Sequence, residues 1–230
     1  MRRSLLAAAL ALAAMARAQE ALRPMQRGEL WLSAAATSQL PDAWRGALGS
    51  HYKRLRARAE LGYRSTDAFF AGRQAFLDLG GRYRAAKGLF VSVEHRFAAR
   101  AGTAGLRHRT MFTAEAARRF GRVEARYRFA YQHAFIERGG KREVFRNRLQ
   151  SGWDIRKWKL DPELSVELFT WAGYRGWSYF GTRWQLGTSY TLAKGHRLAA
   201  VLVHDRERDR AWPTHRWIGC FTYTLDLRDL

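Results

Sequence analysis

The chain has 230 residues, with 41 Lys and Arg against 20 Asp and Glu, a formal net charge of +21 and a single cysteine. One cysteine excludes an intramolecular disulfide framework, and no segment beyond the N-terminal one approaches the roughly 18 consecutive apolar residues of a membrane-spanning helix. The basic residues recur at alternate positions within strand-like segments and form no basic tail, so we expect no nucleic-acid partner.

The N-terminal segment is organised like a secretory signal. Arginines at positions 2 and 3 precede an apolar run over 5–15, and the sequence ARA at 16–18 supplies the small residues that signal peptidase reads. We therefore predict a cleaved signal peptide over residues 1–18, followed by a single exported domain over residues 19–230.

The segment 121–132, GRVEARYRFAYQ, alternates between two kinds of side chain. Val123 and Phe129 belong to one set of alternate positions, while Arg126 and Arg128 belong to the other. A period of two is typical of a β-strand with unlike faces, because successive side chains point to opposite sides of a sheet. Such segments recur and predict twelve strands, at about 28–37, 44–52, 54–64, 74–84, 88–98, 107–119, 122–132, 144–155, 160–170, 181–191, 196–206 and 214–227.

The connections between these strands are of two lengths. Short basic or glycine-containing segments precede five strands, at Tyr52, Ala86, Arg119, Arg156 and Ala193. Longer segments occupy 65–73, 99–106, 133–143, 171–180 and 207–213. Short turns at one end and long loops at the other are typical of bacterial outer-membrane barrels. We predict an all-β fold, a twelve-stranded antiparallel up-and-down transmembrane β-barrel in the outer membrane of a Gram-negative bacterium, with both termini at the short-turn end.

The two faces of the strands distinguish two kinds of barrel. A soluble barrel buries its apolar side chains, whereas a membrane barrel turns them toward lipid and keeps polar side chains in its lumen. Aromatic residues such as Tyr63, Phe97 and Trp153 fall near strand ends, where the two membrane interfaces would lie. This distribution favours the membrane barrel. It predicts a lumen network of Glu60, Arg64, Glu94, Arg96, Glu124, Arg126, Arg128, Arg146, Arg148, Glu163, Glu167 and Arg183.

An arginine-rich lumen is compatible with two roles. Ion pairs between Arg and Glu would plug the barrel, which would then serve structure or binding, whereas the surplus of arginine favours a narrow passage for anions. The expected partners are outer-membrane lipid and lipopolysaccharide, with the barrel-assembly machinery acting during insertion. We expect no cofactor and no metal site, since the histidines do not form a ligand-spaced pair on one strand face.

The long segment 171–180, WAGYRGWSYF, is rich in aromatic residues around one arginine. This composition suits contact with carbohydrate, lipid or protein, and it makes Trp171, Tyr174, Arg175 and Trp177 candidate binding residues. The alternative is an aromatic girdle at the membrane interface that extends the flanking strands.

A lipid-modifying enzyme is the alternative functional class. Some outer-membrane barrels hydrolyse lipids with a serine and a histidine on the lipid-facing surface, and the base must then lie within hydrogen-bond reach of the nucleophile. His95, His133 and His204 fall on the apolar phase near the long loops and are candidate bases. No convincing serine accompanies them, and no Gly-x-Ser-x-Gly segment occurs. We therefore expect no enzymatic activity, with an outer-membrane lipid hydrolase or lipid A-modifying enzyme as the alternative.

Six segments taken in order resemble a known family. They are LWLSAAA at 30–36, VEHRF at 93–97, ARYRFAYQ at 125–132, FRNRLQSGWD at 145–154, DPELSVELF at 161–169 and TRWQLGTSYTLAKGHRL at 182–198. Together they are similar to the outer-membrane barrel family catalogued as domain of unknown function 2490. The resemblance implies a β-barrel in a Gram-negative outer membrane, without a known activity. One departure is Leu230, where outer-membrane barrels usually end in Phe or Trp.

Overall fold

The computed structural model of the protein describes residues 25–67, 69–135, 141–173, 176–208 and 213–228. The predicted signal peptide and Leu230 lie outside these ranges. Within them, eleven β-strands form one sheet that closes into a barrel. The strands are β1 (Met25–Gln39), β2 (Leu55–Ser65), β3 (Gly72–Ala86), β4 (Leu89–Arg100), β5 (Leu106–Phe120), β6 (Val123–Phe135), β7 (Lys141–Trp153), β8 (Asp161–Ala172), β9 (Tyr179–Ala193), β10 (His196–Glu207) and β11 (Thr214–Asp226).

The strand count and the purely antiparallel topology predicted from the sequence are wrong. Each strand pairs antiparallel with its neighbour in the chain, but β1 and β11 close the barrel by running parallel. At this seam Glu29 lies opposite Ile218 and Ser33 lies opposite Thr222. The parallel pair follows from the odd number of strands, because strands that alternate in direction return to the starting direction at the eleventh.

The predicted second strand, 44–52, is replaced by short helical turns. Asp42–Trp44 and Gly49–Arg54 form 3-10 helices on either side of α1 (Arg45–Leu48). The Tyr52 side chain is buried beneath them, and its hydroxyl donates hydrogen bonds to the Leu40 carbonyl at 2.6 Å and to Asp42 at 2.9 Å. Burial and the contact with Asp42 raise the pKa of Tyr52. Over the described ranges, no helix has the length and hydropathy needed to cross a membrane.

The two ends of the barrel differ in the length of their connections. At the turn end, β3–β4, β5–β6 and β9–β10 are joined by two residues each, and Gly88 and Gly195 adopt φ values of +76° and +77° that favour glycine. The loop end carries connections of five or six residues at 66–71, 101–105, 136–140, 173–178 and 208–213. The longest connections, 40–54 and 154–160, belong to the turn end, so the prediction that all turns at that end are short is wrong. With eleven strands, β1 begins at the loop end and β11 ends at the turn end, so the prediction that both termini lie at the short-turn end is wrong.

The apolar side chains of the strands lie on the outside of the barrel. Leu61 is 64 % exposed, and Leu149 and Leu186 are each 57 % exposed. On the opposite face, the Glu29 and Glu167 side chains are only 1 % exposed. The charged positions of the alternating strands therefore enclose the barrel axis, while the leucine-rich positions form the outer surface.

A disulfide across the parallel seam tests the strand number. In a Cys220→Ser background, Ser33→Cys and Thr222→Cys should cross-link on oxidation, because these residues lie opposite each other and their hydroxyl oxygens are 2.9 Å apart. Mass spectrometry of peptides from the unreduced protein would detect the bridge. The control pair is Ser33→Cys with Thr113→Cys, since Thr113 belongs to β5, which does not neighbour β1. A folded barrel that lacks the 33–222 bridge would contradict the parallel closure.

Candidate functional site

A chain of linked ion pairs follows the inner wall over seven of the eleven strands, and we call it the ion-pair belt. Arginine and carboxylate alternate along it from strand to strand, across the parallel seam. Its members are Arg73 (β3), Glu29 (β1), Arg216 (β11), Asp205 (β10), Arg183 (β9), Glu167 (β8) and Arg146 (β7). Because each link joins different strands, the belt ties the wall together from within.

Glu167 is the most heavily coordinated carboxylate of the belt. Arg146 donates to both of its oxygens, from Nε at 3.1 Å and from Nη2 at 3.0 Å. Arg128 Nη2 donates to Oε1 at 2.7 Å, and Arg183 Nη1 lies 4.0 Å from Oε2. A buried carboxylate is tolerated only where charge and hydrogen bonds offset its loss of hydration. The three arginines supply this compensation.

Other buried pairs of the ion-pair belt lie on both sides of the seam. Arg73 binds both oxygens of Glu29, at 2.8 and 2.9 Å, and the Trp31 indole N–H donates to Glu29 at 2.9 Å. Asp205 accepts from Arg183 at 2.8 Å and from Arg216 at 2.7 Å. These contacts join β1 to β3 and β10 to β9 and β11, and Arg216 crosses the seam itself by approaching Glu29 to 4.0 Å.

Outside the ion-pair belt, the wall carries ion pairs that each join two neighbouring strands. Arg96 on β4 binds Asp78 on β3 through two nitrogens, and Arg109 on β5 lies 3.6 Å from Glu94 on β4. On strand β2, the carboxylate Glu60 pairs with Arg58 of the same strand. Another inward arginine of β2, Arg64, lies over the Trp31 ring at 4.0 Å.

The predicted lumen residues divide between two levels of the barrel. A mid-barrel cavity of about 720 Å³ is lined by Glu60, Arg64, Glu94, Arg96, Arg128, Arg146, Arg148, Glu167 and Arg183. The other three, Glu124, Arg126 and Glu163, line cavities at the turn end, where Arg126 binds Glu124. Sequence reasoning missed Glu29, Arg73, Asp78, Asp205 and Arg216, although the alternation of Asp78 with Leu77 and Leu79 was a usable signal.

Positive charge exceeds negative charge in three of the cavities lined by several ionisable groups, while a cavity of about 190 Å³ at the turn end is balanced, with four arginines against four carboxylates. The mid-barrel cavity has nine arginines against five carboxylates. A cavity of about 500 Å³ at the turn end has nine lysines and arginines against two carboxylates. A cavity of about 580 Å³ at the loop end has five arginines and no carboxylate among its lining residues. The interior therefore carries an excess of positive charge at mid-barrel and in one cavity at each end.

A second polar cluster lies on the outer surface near the loop end. The His95 Nδ1 atom is 2.9 Å from the Thr110 hydroxyl, and its Nε2 atom is 3.4 Å from His108. Thr110 also lies opposite His133, whose Nδ1 atom is 3.3 Å from Glu143. The sequence did not indicate Thr110, because serine is the usual nucleophile beside a histidine base and because strand register is not visible in the sequence.

The other predicted histidine base, His204, has a different neighbour. Its Nε2 atom is 3.4 Å from His215, and its ring packs on Trp217 at 4.5 Å between centroids. The structure thus places His204 on β10, away from His95 on β4 and His133 on β6. Among the described residues, no group of three or more His, Cys, Asp or Glu is arranged to hold a metal ion.

The candidate binding residues of the segment 171–180 do not share one surface. The Trp171 side chain is buried and stacks on Phe180 with ring centroids 4.1 Å apart. Trp177 is 77 % exposed and stacks on Phe145 at 4.9 Å. Tyr174 and Arg175 lie outside the described residues.

The protein is a closed β-barrel with a charged interior. This class is defined by the closed sheet, the outward apolar side chains and the internal ion pairs. The chain belongs to the family described as "Protein of unknown function (DUF2490)", whose model matches residues 28–215. This match confirms the family resemblance drawn from the sequence. No curated protein and no solved structure matches the chain.

Removing Glu167 should destabilise the barrel. Glu167→Gln leaves the arginines around it without their shared carboxylate, and losing one partner of a buried pair costs about 3–5 kcal/mol. The free energy of unfolding, measured by urea titration in detergent micelles, reports the change. The matched control is Glu115→Gln, because the partly exposed pair of Glu115 with Arg82 should contribute only about 0–1 kcal/mol. Equal losses in the two variants would contradict a structural role for the belt.

Proposed function

We propose that the protein is an outer-membrane β-barrel of a Gram-negative bacterium. The single observation that supports this proposal is the outward placement of the apolar side chains around a closed sheet. A water-soluble barrel gains stability by burying such side chains, whereas a lipid-facing wall requires them outside. Phe120 and Trp153 near the turn end, and Phe135 and Trp177 near the loop end, are at least half exposed, as interface girdles require.

The interior supports a narrow passage that favours anions. Long arginine side chains and their ion pairs occupy much of the lumen. The mid-barrel cavity and the cavity of about 500 Å³ at the turn end share no lining residue, so a passage between them would be narrow. What space is left is lined by an excess of arginine and lysine, which attracts anions and repels cations. In this proposal the partners are outer-membrane lipid and lipopolysaccharide, the assembly machinery acts during insertion, and no catalysis occurs.

Reconstitution tests both the location and the charge preference. The protein should fractionate with the outer membrane and migrate as a heat-modifiable band. In planar bilayers, its reversal potential under a KCl gradient should indicate chloride preference. Arg126→Gln should lower that preference, because Arg126 lines both turn-end cavities. Arg128→Gln, on the mid-barrel cavity, should act in the same direction.

Arg156→Gln is the control for these recordings, since Arg156 is an exposed residue in the connection after β7. A protein that stays in the soluble fraction would contradict the membrane location. An outer-membrane barrel that prefers cations would contradict the anion passage but not the membrane location. The same holds if the ion preference is unchanged in the Arg126→Gln and Arg128→Gln variants.

A lipid hydrolase is the second candidate, and the pairing of His95 with Thr110 favours it. Both side chains face outward near the loop end, where the outer leaflet would lie in the proposed orientation. In a hydrolytic cycle, the Thr110 hydroxyl would attack an ester carbonyl while His95 accepts its proton and passes it to the departing alkoxide. Water would then cleave the acyl-threonine to release the fatty acid.

Fatty acid release from phospholipid and from lipid A decides between the two candidates. The non-enzymatic proposal expects the wild-type protein to release no more than Thr110→Val, which removes the hydroxyl but keeps the shape. Release that is lost in both His95→Ala and Thr110→Val, but kept in His204→Ala, would establish the hydrolase instead. His204→Ala is the matched control because His204 is an outward histidine with another histidine 3.4 Å away.

A further inference from the structure

Arg64 is a charged residue inside the barrel without a counter-charge. The Arg64 side chain forms no hydrogen bond and no ion pair with any residue that the structure describes. Its guanidinium instead lies over the Trp31 ring at 4.0 Å and near the Phe76 ring at 5.2 Å. Cation–π contacts contribute about 0.5–2 kcal/mol, which is less than the several kcal/mol that an ion loses on leaving water. Arg64 therefore lacks an electrostatic partner.

The nearby carboxylates are already used by other arginines. Glu29 accepts a hydrogen bond from the Trp31 indole N–H, and Arg73 binds both of its oxygens. Asp78 is bound through both oxygens by Arg96. The charges acting most strongly on Arg64 are those of Arg96, Arg109, Arg183 and Arg73, all of the same sign. The missing partner must therefore come from outside this part of the wall.

Three arginines with unpartnered donors meet at the junction of two cavities. Arg64, Arg96 and Arg109 line both the mid-barrel cavity and the loop-end cavity. Each has a buried nitrogen without a hydrogen-bond partner, namely Arg64 Nε, Arg96 Nη1 and Arg109 Nε. Buried polar groups without partners are rare in folded proteins, and their clustering indicates an absent acceptor. An acceptor here would serve three guanidinium groups at once.

We propose that Arg64, Arg96 and Arg109 form a binding site for a small oxyanion of the phosphate class, entered from the loop end. This inference rests on the proposed function, an interior that favours anions, and adds one defined binding site within that interior. Guanidinium groups bind tetrahedral and planar oxyanions through paired N–H donors, and a multivalent oxyanion can accept from several arginines together. Rotation about the arginine side-chain bonds would turn the unpartnered donors toward the ligand.

The geometry also limits which anions fit. Chloride offers a single point of attraction and cannot match the fork of a guanidinium, so it should bind more weakly than phosphate. The loop-end cavity of about 580 Å³ lies in the range of small-molecule sites, so phosphate on a small organic group is also accommodated. Lipid-borne phosphate is the other source of the same chemistry, and a lipid-free experiment separates the two.

Calorimetry and thermal unfolding test the site with inorganic phosphate on the refolded, lipid-free protein in detergent. We expect saturable phosphate binding and a rise in the unfolding temperature that chloride at equal ionic strength does not produce. Arg64→Gln should weaken phosphate binding at least tenfold. Gln74→Glu should do the same, because Gln74 lies opposite Arg64 in the strand register and a carboxylate there would neutralise it.

The matched control is Arg156→Gln. Arg156 is an exposed arginine in the connection after β7 and lines none of the cavities described above, so its loss should leave phosphate binding unchanged. Without phosphate, Arg64→Gln should unfold at the same temperature as the wild type or higher, because it removes an uncompensated charge. A purely structural Arg64, stacked on Trp31, predicts the reverse: a lower unfolding temperature in the variant and an unchanged response to phosphate. That result would overturn the site.

The outcomes separate this inference from the function on which it rests. A wild-type protein that does not distinguish phosphate from chloride overturns the oxyanion site, even where outer-membrane location and anion preference hold. Binding that appears only when lipid A is added identifies a lipid-borne phosphate and also overturns entry of a soluble ligand from the loop end. Phosphate binding that depends on Arg64, in a protein absent from the outer membrane, would support the site and contradict the membrane location.

Discussion

The interior charge pairing is the interaction on which the rest of the structure depends. Once the apolar side of every strand faces outward, the other side must fill the barrel, and it consists largely of arginine and carboxylate. Ions removed from water are costly unless each meets an opposite charge with good geometry. The ion-pair belt meets this requirement and joins different strands at each link, so the groups that solve the burial problem also hold the wall closed.

The same pairing explains why the interior is cationic and not neutral. Buried carboxylates such as Glu167 and Asp205 are each shared by two or more arginines, so the acids are used up before the arginines are. The surplus is present in the mid-barrel cavity and in one cavity at each end. A wall tied together by shared carboxylates therefore keeps an excess of positive charge.

Local alternation revealed the two faces of each strand, but not which strands meet. The period of two in segments such as 121–132 sufficed to place Arg126 and Phe129 on opposite sides, and the glycine turns at Gly88 and Gly195 marked strand ends. The predicted number of strands was wrong because of residues 44–52. There the contacts of Tyr52 stabilise short helices that no sequence pattern indicated. Register was invisible, and with it the partnership of Thr110 with His95, which are 15 positions apart in the sequence.

The parallel seam also accounts for the position of the unpaired arginine. Glu29 on β1 reaches past β2 to bind Arg73 on β3, and it approaches Arg216 across the seam at 4.0 Å. Strand β2 is bypassed by this bridge, and Ser65 at its end is fully buried, accepting a hydrogen bond from the Leu30 N–H at 2.7 Å. Arg64 is therefore fixed beside Trp31 while the nearest acid is engaged elsewhere. Closing the barrel in this way leaves Arg64 without an opposite charge among the described residues, and the proposed oxyanion would supply that charge.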